Sequence, residues 1–161
     1  MQVFQRRLVD AAQTQASIDD MILKGKTRPG QTPTMVQNYV YTGSFAAVAA
    51  GANAQINIPI QGDSDFIITY FSGIVFDDGT GLPVASPNAQ IQVTDNSSQR
   101  AMFSNPVNFS LVMGNGGFPY LLQSPRLVTA NTQLVLQFYN NSAATVMDAQ
   151  VALSGDRVYY P

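Results

Sequence analysis

From Pro33 onward the chain keeps to one pattern, in which short runs alternating apolar with polar residues are separated by clusters of Gly, Asp, Asn and Ser. Side chains repeating at period two point to opposite faces of an extended backbone, so each run buries one face and wets the other. The alternation is plain in Gln55-Ile56-Asn57-Ile58-Pro59-Ile60, in Gln90-Ile91-Gln92-Val93-Thr94 and in Leu134-Val135-Leu136-Gln137-Phe138. Phe66-Ile67-Ile68-Thr69-Tyr70-Phe71 and Ile74-Val75-Phe76 are apolar at both parities and predict burial on both faces. Further strands are expected near 38–48, 107–113 and 145–153, with a last one near 156–160. The separators Gly62-Asp63-Ser64-Asp65, Asp77-Asp78-Gly79-Thr80-Gly81, Asp95-Asn96-Ser97-Ser98, Gly114-Asn115-Gly116-Gly117 and Asn140-Asn141-Ser142 carry good turn chemistry. About eight strands at this spacing predict an antiparallel β-sandwich of jelly-roll type.

Residues 1–30 read differently, as an N-terminal arm ahead of a sandwich domain over 31–161. Residues 1–28 hold five cations against three Asp, whereas residues 29–161 hold three Arg against seven Asp. The boundary runs through Lys24-Gly25-Lys26-Thr27-Arg28-Pro29-Gly30, a stretch rich in chain breakers. Phe4, Leu8, Ala11 and Ala12 share one face at helical spacing, and Ser17 with Asp19 and Asp20 reads as the start of a second short helix that stops at Gly25. Helices shorter than about 12–15 residues are marginal alone in water, so this apolar face is expected to dock. The candidate partner-binding residues are Phe4, Arg6, Arg7, Leu8, Ile18, Ile22, Lys24, Lys26 and Arg28. Their receiver is either the parent domain or a neighbouring subunit.

The chain has no Cys, His or Glu, and all ten acidic residues are Asp. Disulfides, thiolate metal sites and the commonest general base are therefore absent from its alphabet. Any Ser or Thr nucleophile would need Lys or Asp as its base, and both lysines lie in the arm, so an enzyme is not expected. Asp63 and Asp65 would stand about 6.5–7 Å apart on an extended backbone, within the range used by inverting glycosidases, but a solvated turn leading into Phe66 is the simpler reading. Asp77-Asp78-Gly79-Thr80-Gly81 looks like a fragment of a calcium loop without its spaced ligands or closing Glu, and reads as a turn. Gly114-Asn115-Gly116-Gly117 has no Lys after it and is no phosphate loop. No catalytic residue, metal or cofactor is expected.

Charged residues are only 11% of the chain, while Gln, Asn, Ser and Thr supply 49 of 161. Such a surface gives up little desolvation energy when covered, so a protein partner and a symmetric homo-oligomer, a trimer foremost, are expected. The arm's Asp residues dilute its cations, so nucleic acid is not the expected partner. No stretch reaches the 18–20 apolar residues of a membrane helix, the start of the chain has no secretory-signal pattern, and no membrane partner is expected.

Asp95-Asn96-Ser97-Ser98-Gln99-Arg100-Ala101-Met102-Phe103 is followed by Asn105-Pro106-Val107, Gly114-Asn115-Gly116-Gly117-Phe118-Pro119-Tyr120, Ser124-Pro125-Arg126, Ala130-Asn131 and Gly155-Asp156-Arg157-Val158. Over roughly residues 55–158 this order resembles virion structural proteins of tailed bacteriophages, in particular capsid cement or decoration proteins with jelly-roll cores. The resemblance implies a sandwich on the outer capsid surface that stabilises the head by bridging capsomers. It also implies an arm that reaches a neighbour, the major capsid protein as partner, trimers near local three-fold positions, and synthesis in the host cytoplasm. Two other readings remain open at this stage. One is a receptor- or carbohydrate-binding jelly-roll module of a tail or fibre, with Tyr39, Tyr41, Tyr70, Tyr120 or Tyr139 stacking on sugar, and the other is a head-to-tail joining protein.

Overall fold

The computed structural model describes Ala16, residues 27–114 and residues 118–161. Among the described residues nine strands run β1 (Met35–Val48), β2 (Asn53–Pro59), β3 (Asp65–Asp77), β4 (Ala89–Asp95), β5 (Arg100–Ala101), β6 (Val107–Asn108), β7 (Tyr120–Val128), β8 (Gln133–Asn140) and β9 (Met147–Tyr159). Every pairing is antiparallel. A long sheet has the order β1-β9-β3-β7, and a short sheet has β2-β8-β4-β5 with β6 also paired to β4. The first four strands alternate between the sheets, as do the last three, and this winding is a jelly roll. The all-β sandwich expected from the alternation is what the chain forms.

Its core lies between the sheets. Phe45, Phe66, Ile68, Phe71, Val75, Ala149, Val151 and Leu153 of the long sheet face Ile58, Ile91, Val93, Leu134, Leu136 and Phe138 of the short one, all buried. The burial of β4 and β8 alternates strictly, as their sequences require. A second, smaller cluster of Ile67 and Val158 with Val36, Leu127 and Tyr160 covers the other face of the long sheet at one end. This cluster is why Ile67 is buried alongside Phe66 and Ile68, as the apolar run predicted. Two-sided burial does not extend to Ile74, which is exposed.

Glycine misleads the strand boundaries twice. Residues 66–71 and 74–76 form one strand, because Gly73 is a packing glycine: a Cβ there would meet the Phe109 ring at 2.7 Å. The break expected between 153 and 156 is likewise absent. β9 runs straight through Gly155, where a Cβ would fall 1.9 Å from the Ile67 carbonyl oxygen, beside the bulge between Ile68 and Tyr70. The strand expected over 107–113 is two residues of β6 and a helical turn, Phe109–Val112. Asn108 caps that turn by accepting the Ser110 N–H at 3.0 Å, and Phe109, Val112 and Met113 are buried at helical spacing. β7 went unread because Ser124-Pro125 interrupts its pattern; residues 122–125 stand against Thr69 alone, an irregularity that an edge strand tolerates.

Candidate functional site

At the end of the sandwich where the arm joins it, the β2–β3 turn carries two carboxylates that are each held by an arginine. Arg28 binds Asp65 through two parallel bonds, Nε to Oδ2 at 2.7 Å and Nη2 to Oδ1 at 2.6 Å. Asp65 is fully buried and also accepts the Ala130 N–H at 2.8 Å. The Arg28 guanidinium lies 4.9 Å over the Tyr160 ring, and its backbone N–H donates to the Tyr160 hydroxyl at 3.1 Å. Arg28, Asp65 and Tyr160 thus clasp the root of the arm to both β3 and the last residues of the chain.

The second arginine, Arg157, is buried on the core side of the same end. Its Nη2 donates to Asp63 at 2.5 Å and its Nε to the Ser64 hydroxyl at 2.8 Å, while its guanidinium lies over the rings of Tyr39 at 4.9 Å and Tyr159 at 5.1 Å. Burial would raise the Asp63 carboxyl, but the bonds from Arg157 and Ser64 outweigh it and hold the group below the usual carboxylate range. The solvated turn expected at Asp63-Ser64-Asp65 is therefore corrected in part: Asp63 faces water, but Ser64 and Asp65 are buried in a polar network. Both carboxylates are bound to guanidinium groups, an arrangement that fixes a turn and leaves neither carboxylate without a cation. The clue was available in the sequence, since an Arg within an apolar-alternating strand must find a partner when buried.

The Asp77 cluster is a turn, with Oδ1 of Asp77 accepting the N–H groups of Gly79 at 2.9 Å and Thr80 at 3.2 Å. Asp95 similarly accepts from Ser97 and Ser98; against the opposing effect of burial, these bonds hold its carboxyl low. The tyrosines do not form one platform. Tyr41 is buried against Phe66 with Tyr39 edge-on to it, Tyr70 is on the long sheet, Tyr139 on the short sheet and Tyr120 at the edge. Of the arm residues, Phe4, Arg6, Arg7, Leu8, Ile18, Ile22, Lys24 and Lys26 lie outside the described residues, and Arg28 belongs to the clasp.

Strand register puts directly opposed residues on the same face, so the outer surfaces can be read row by row. On the short sheet the rows are Asn53–Tyr139–Gln90, Gln55–Gln137–Gln92 and Asn57–Val135–Thr94, amide-rich and without a formal charge. On the long sheet the four middle rows are Asn38–Asp156–Ile67–Leu127, Val40–Ser154–Tyr70–Leu121, Thr42–Ala152–Ser72 and Ser44–Gln150–Ile74; the end rows, Val36–Val158–Asp65 and Asp148–Phe76, carry one Asp each. Small residues in the last two rows leave a depression of about 590 Å³. Val40 is 48% and Leu121 68% exposed, and Met35, Ile74 and Tyr120 are exposed large apolar residues on the same sheet. Among the described residues, no strand of the short sheet carries one. The one formal charge in those four rows, Asp156, has its carboxyl raised by burial, with only the Asn38 amide at 2.5 Å acting against it.

Fold and surface together define a jelly-roll β-sandwich with charge-poor outer faces and with Arg28 clasped at one end. No family model matches the chain, and no curated protein matches it. Among solved structures, it is similar to a chain of a cyanophage Pam1 capsid asymmetric unit, with 17% identity over 83% of this chain and 91% of that chain and a TM-score of 0.46.

Proposed function

We propose that this chain is a non-enzymatic structural protein of a phage particle, a cement or decoration protein. In this reading the sandwich sits on the outer capsid surface and stabilises the head by bridging capsomers, while residues 1–30 reach a neighbouring subunit. The major capsid protein is its partner, the protein associates with itself as a trimer, and it acts on the virion after synthesis in the host cytoplasm.

The observation that carries the reading is the character of the two outer faces. Nine rows of opposed side chains across both sheets hold three formal charges, Asp65, Asp148 and Asp156, and Asp65 is already paired with Arg28, so large areas can be covered with little desolvation cost. Meanwhile Arg28 and Arg157 are committed to internal pairs, which leaves these polar groups fixing shape instead of meeting a substrate. The sequence resemblance over residues 55–158 points to the same role. The scattered tyrosines speak against a stacked-sugar platform.

Copy number on purified particles tests the reading. Hundreds of copies per head, and heads that rupture at lower temperature when the protein is missing, are the expected results. A dozen copies or fewer would sink it in favour of a tail or connector component.

A further inference from the structure

We infer that the outer face of the long sheet is the seat for residues 1–26 of a second copy of this chain, so that neighbouring copies are joined by exchanged arms. The inference rests on the reading above, in which the arm works between subunits, since a segment lying on its own body bridges nothing.

Three observations bring this face and this segment together. The face carries three exposed large apolar side chains, with others at Leu82, Leu111 and Phe118 outside the two sheets: Val40, Ile74 and Leu121 flank the shallow floor of Thr42, Ser72 and Ala152. Apolar side chains exposed beside a shallow floor suit this face to contact with another apolar surface. The segment offers matching chemistry, with Phe4 and Leu8, then Ile18 and Ile22, each pair at i, i+4 spacing.

Charge agrees as well. The single ionised group in the four rows is Asp156, whose raised carboxyl is bonded by the Asn38 amide and by no cation among the described residues. Residues 1–26 carry Arg6, Arg7, Lys24 and Lys26 against Asp10, Asp19 and Asp20, an excess of the charge this carboxylate lacks. A cation brought to Asp156 in a covered surface gains more than one in water.

Reach completes the match. The clasp fixes Arg28 beside Tyr160, within the apolar cluster of Val36, Ile67, Leu127 and Val158 that ends this same face. Twenty-six residues beyond that point extend roughly 39 Å as helix and about 86 Å fully extended. The face itself is about 46 Å long, taking β1 as its 14-residue measure. Each copy supplies one arm and one seat, so exchange closes a symmetric oligomer without leaving either unpaired.

The natural absence of cysteine makes a direct test clean. Full-length protein bearing Ile18→Cys is mixed with full-length protein bearing Val40→Cys or Leu121→Cys, oxidised, and resolved on a non-reducing gel. Mixed-disulfide dimers are expected, with none when the second cysteine is Gln137→Cys on the short sheet. In light scattering, Val40→Arg with Leu121→Arg should weaken self-association by about tenfold or more while leaving the melting temperature in place. Cross-links confined to a single chain carrying both cysteines would overturn the inference, as would dimers that form equally through Gln137→Cys or self-association untouched by the arginines. Particle binding measured on the same proteins separates the two ideas. Binding that persists without exchange removes this inference alone, and exchange without any particle binding removes the reading it rests on.

Discussion

Asp63 and Asp65 stand two residues apart in one turn and each faces an arginine, yet the two pairs are built in opposite senses. In the Arg28–Asp65 pair the acid is sealed off and the base is 38% exposed; in the Arg157–Asp63 pair the base is 8% exposed and the acid 60%. The buried member sets the consequence of breaking a pair, because it is the group left without compensation in a poorly solvating interior. Asp65 would retain one backbone N–H if Arg28 were lost. Arg157 would retain Ser64 and two tyrosine rings if Asp63 were lost. Similar sequence surroundings therefore hide unequal roles: one pair fastens the arm, and the other closes the end of the core.

The sharpest way to break this contrast is Arg157→Ala. It removes the buried base itself, two stacked rings and the Ser64 bond, and should lower stability by about 3 kcal/mol, a fall in melting temperature of roughly 6–12 °C for a chain of this size. A change within a degree would mean that the guanidinium contributes nothing net. Next comes Arg28→Ala, which strands the Asp65 carboxylate. Because Arg28 is partly solvated, the expected loss is about 2 kcal/mol, below the range for fully buried pairs. Asp65→Asn made together with Arg28→Ala should recover part of that loss; a double variant less stable than the single one would show that the penalty is not a stranded charge.

Smaller effects come from pH. The Asp156 carboxyl is raised in the folded state, so its neutral form is the one folding favours: that contribution is full below the ordinary carboxylate pKa of about 3.9 and is lost as pH rises through the folded value. Asp156→Asn should therefore stabilise the protein modestly at pH 7, with the advantage vanishing on acidification. An advantage that grows in acid would reverse the assignment. Asp63 and Asp95 behave oppositely, since their folded values are depressed; they contribute above the ordinary pKa and lose that contribution as pH falls through their lower folded values. Asp63→Ala leaves the buried Arg157 with Ser64 and two tyrosine rings alone, so the melting temperature should fall at pH 7 and the difference should shrink in acid, as thermal melts over a pH series will read.

Much of the sandwich was legible in the sequence, and the strand errors share a cause. Gln90–Thr94 and Leu134–Phe138 announced themselves because half-burial imposes alternation, a local property. The runs 66–71 and 74–76 and the strands 145–153 and 156–160 were drawn apart, and the gaps hold Gly73 and Gly155, since a glycine in a strand looks the same whether it ends the strand or admits a neighbour. What it admits, the Phe109 ring in one case and the Ile67 carbonyl in the other, lies far away in sequence. β7 was missed for a related reason: its pairing with β3 tolerates four bulged residues that no period describes. The clasp of Arg28 by Asp65 and Tyr160 had no sequence signal at all.

The sequence by itself determined that this chain forms two antiparallel layers with a dry interior, turns at the Asp- and Asn-rich separators and a surface nearly without charge. The layers, the turns and the low share of charge, 11% of the chain, follow from periodicity and composition, which act over a few residues at a time. Only the tertiary structure decided the jelly-roll order β1-β9-β3-β7 over β2-β8-β4-β5, which of two neighbouring carboxylates is buried, and that among the described strands the long sheet, not the short one, carries exposed large apolar residues. Those outcomes depend on residues up to 132 positions apart being brought together, as Arg28 and Tyr160 are. Pairing across such separations is chosen by the packing of the whole core, and no local pattern carries it.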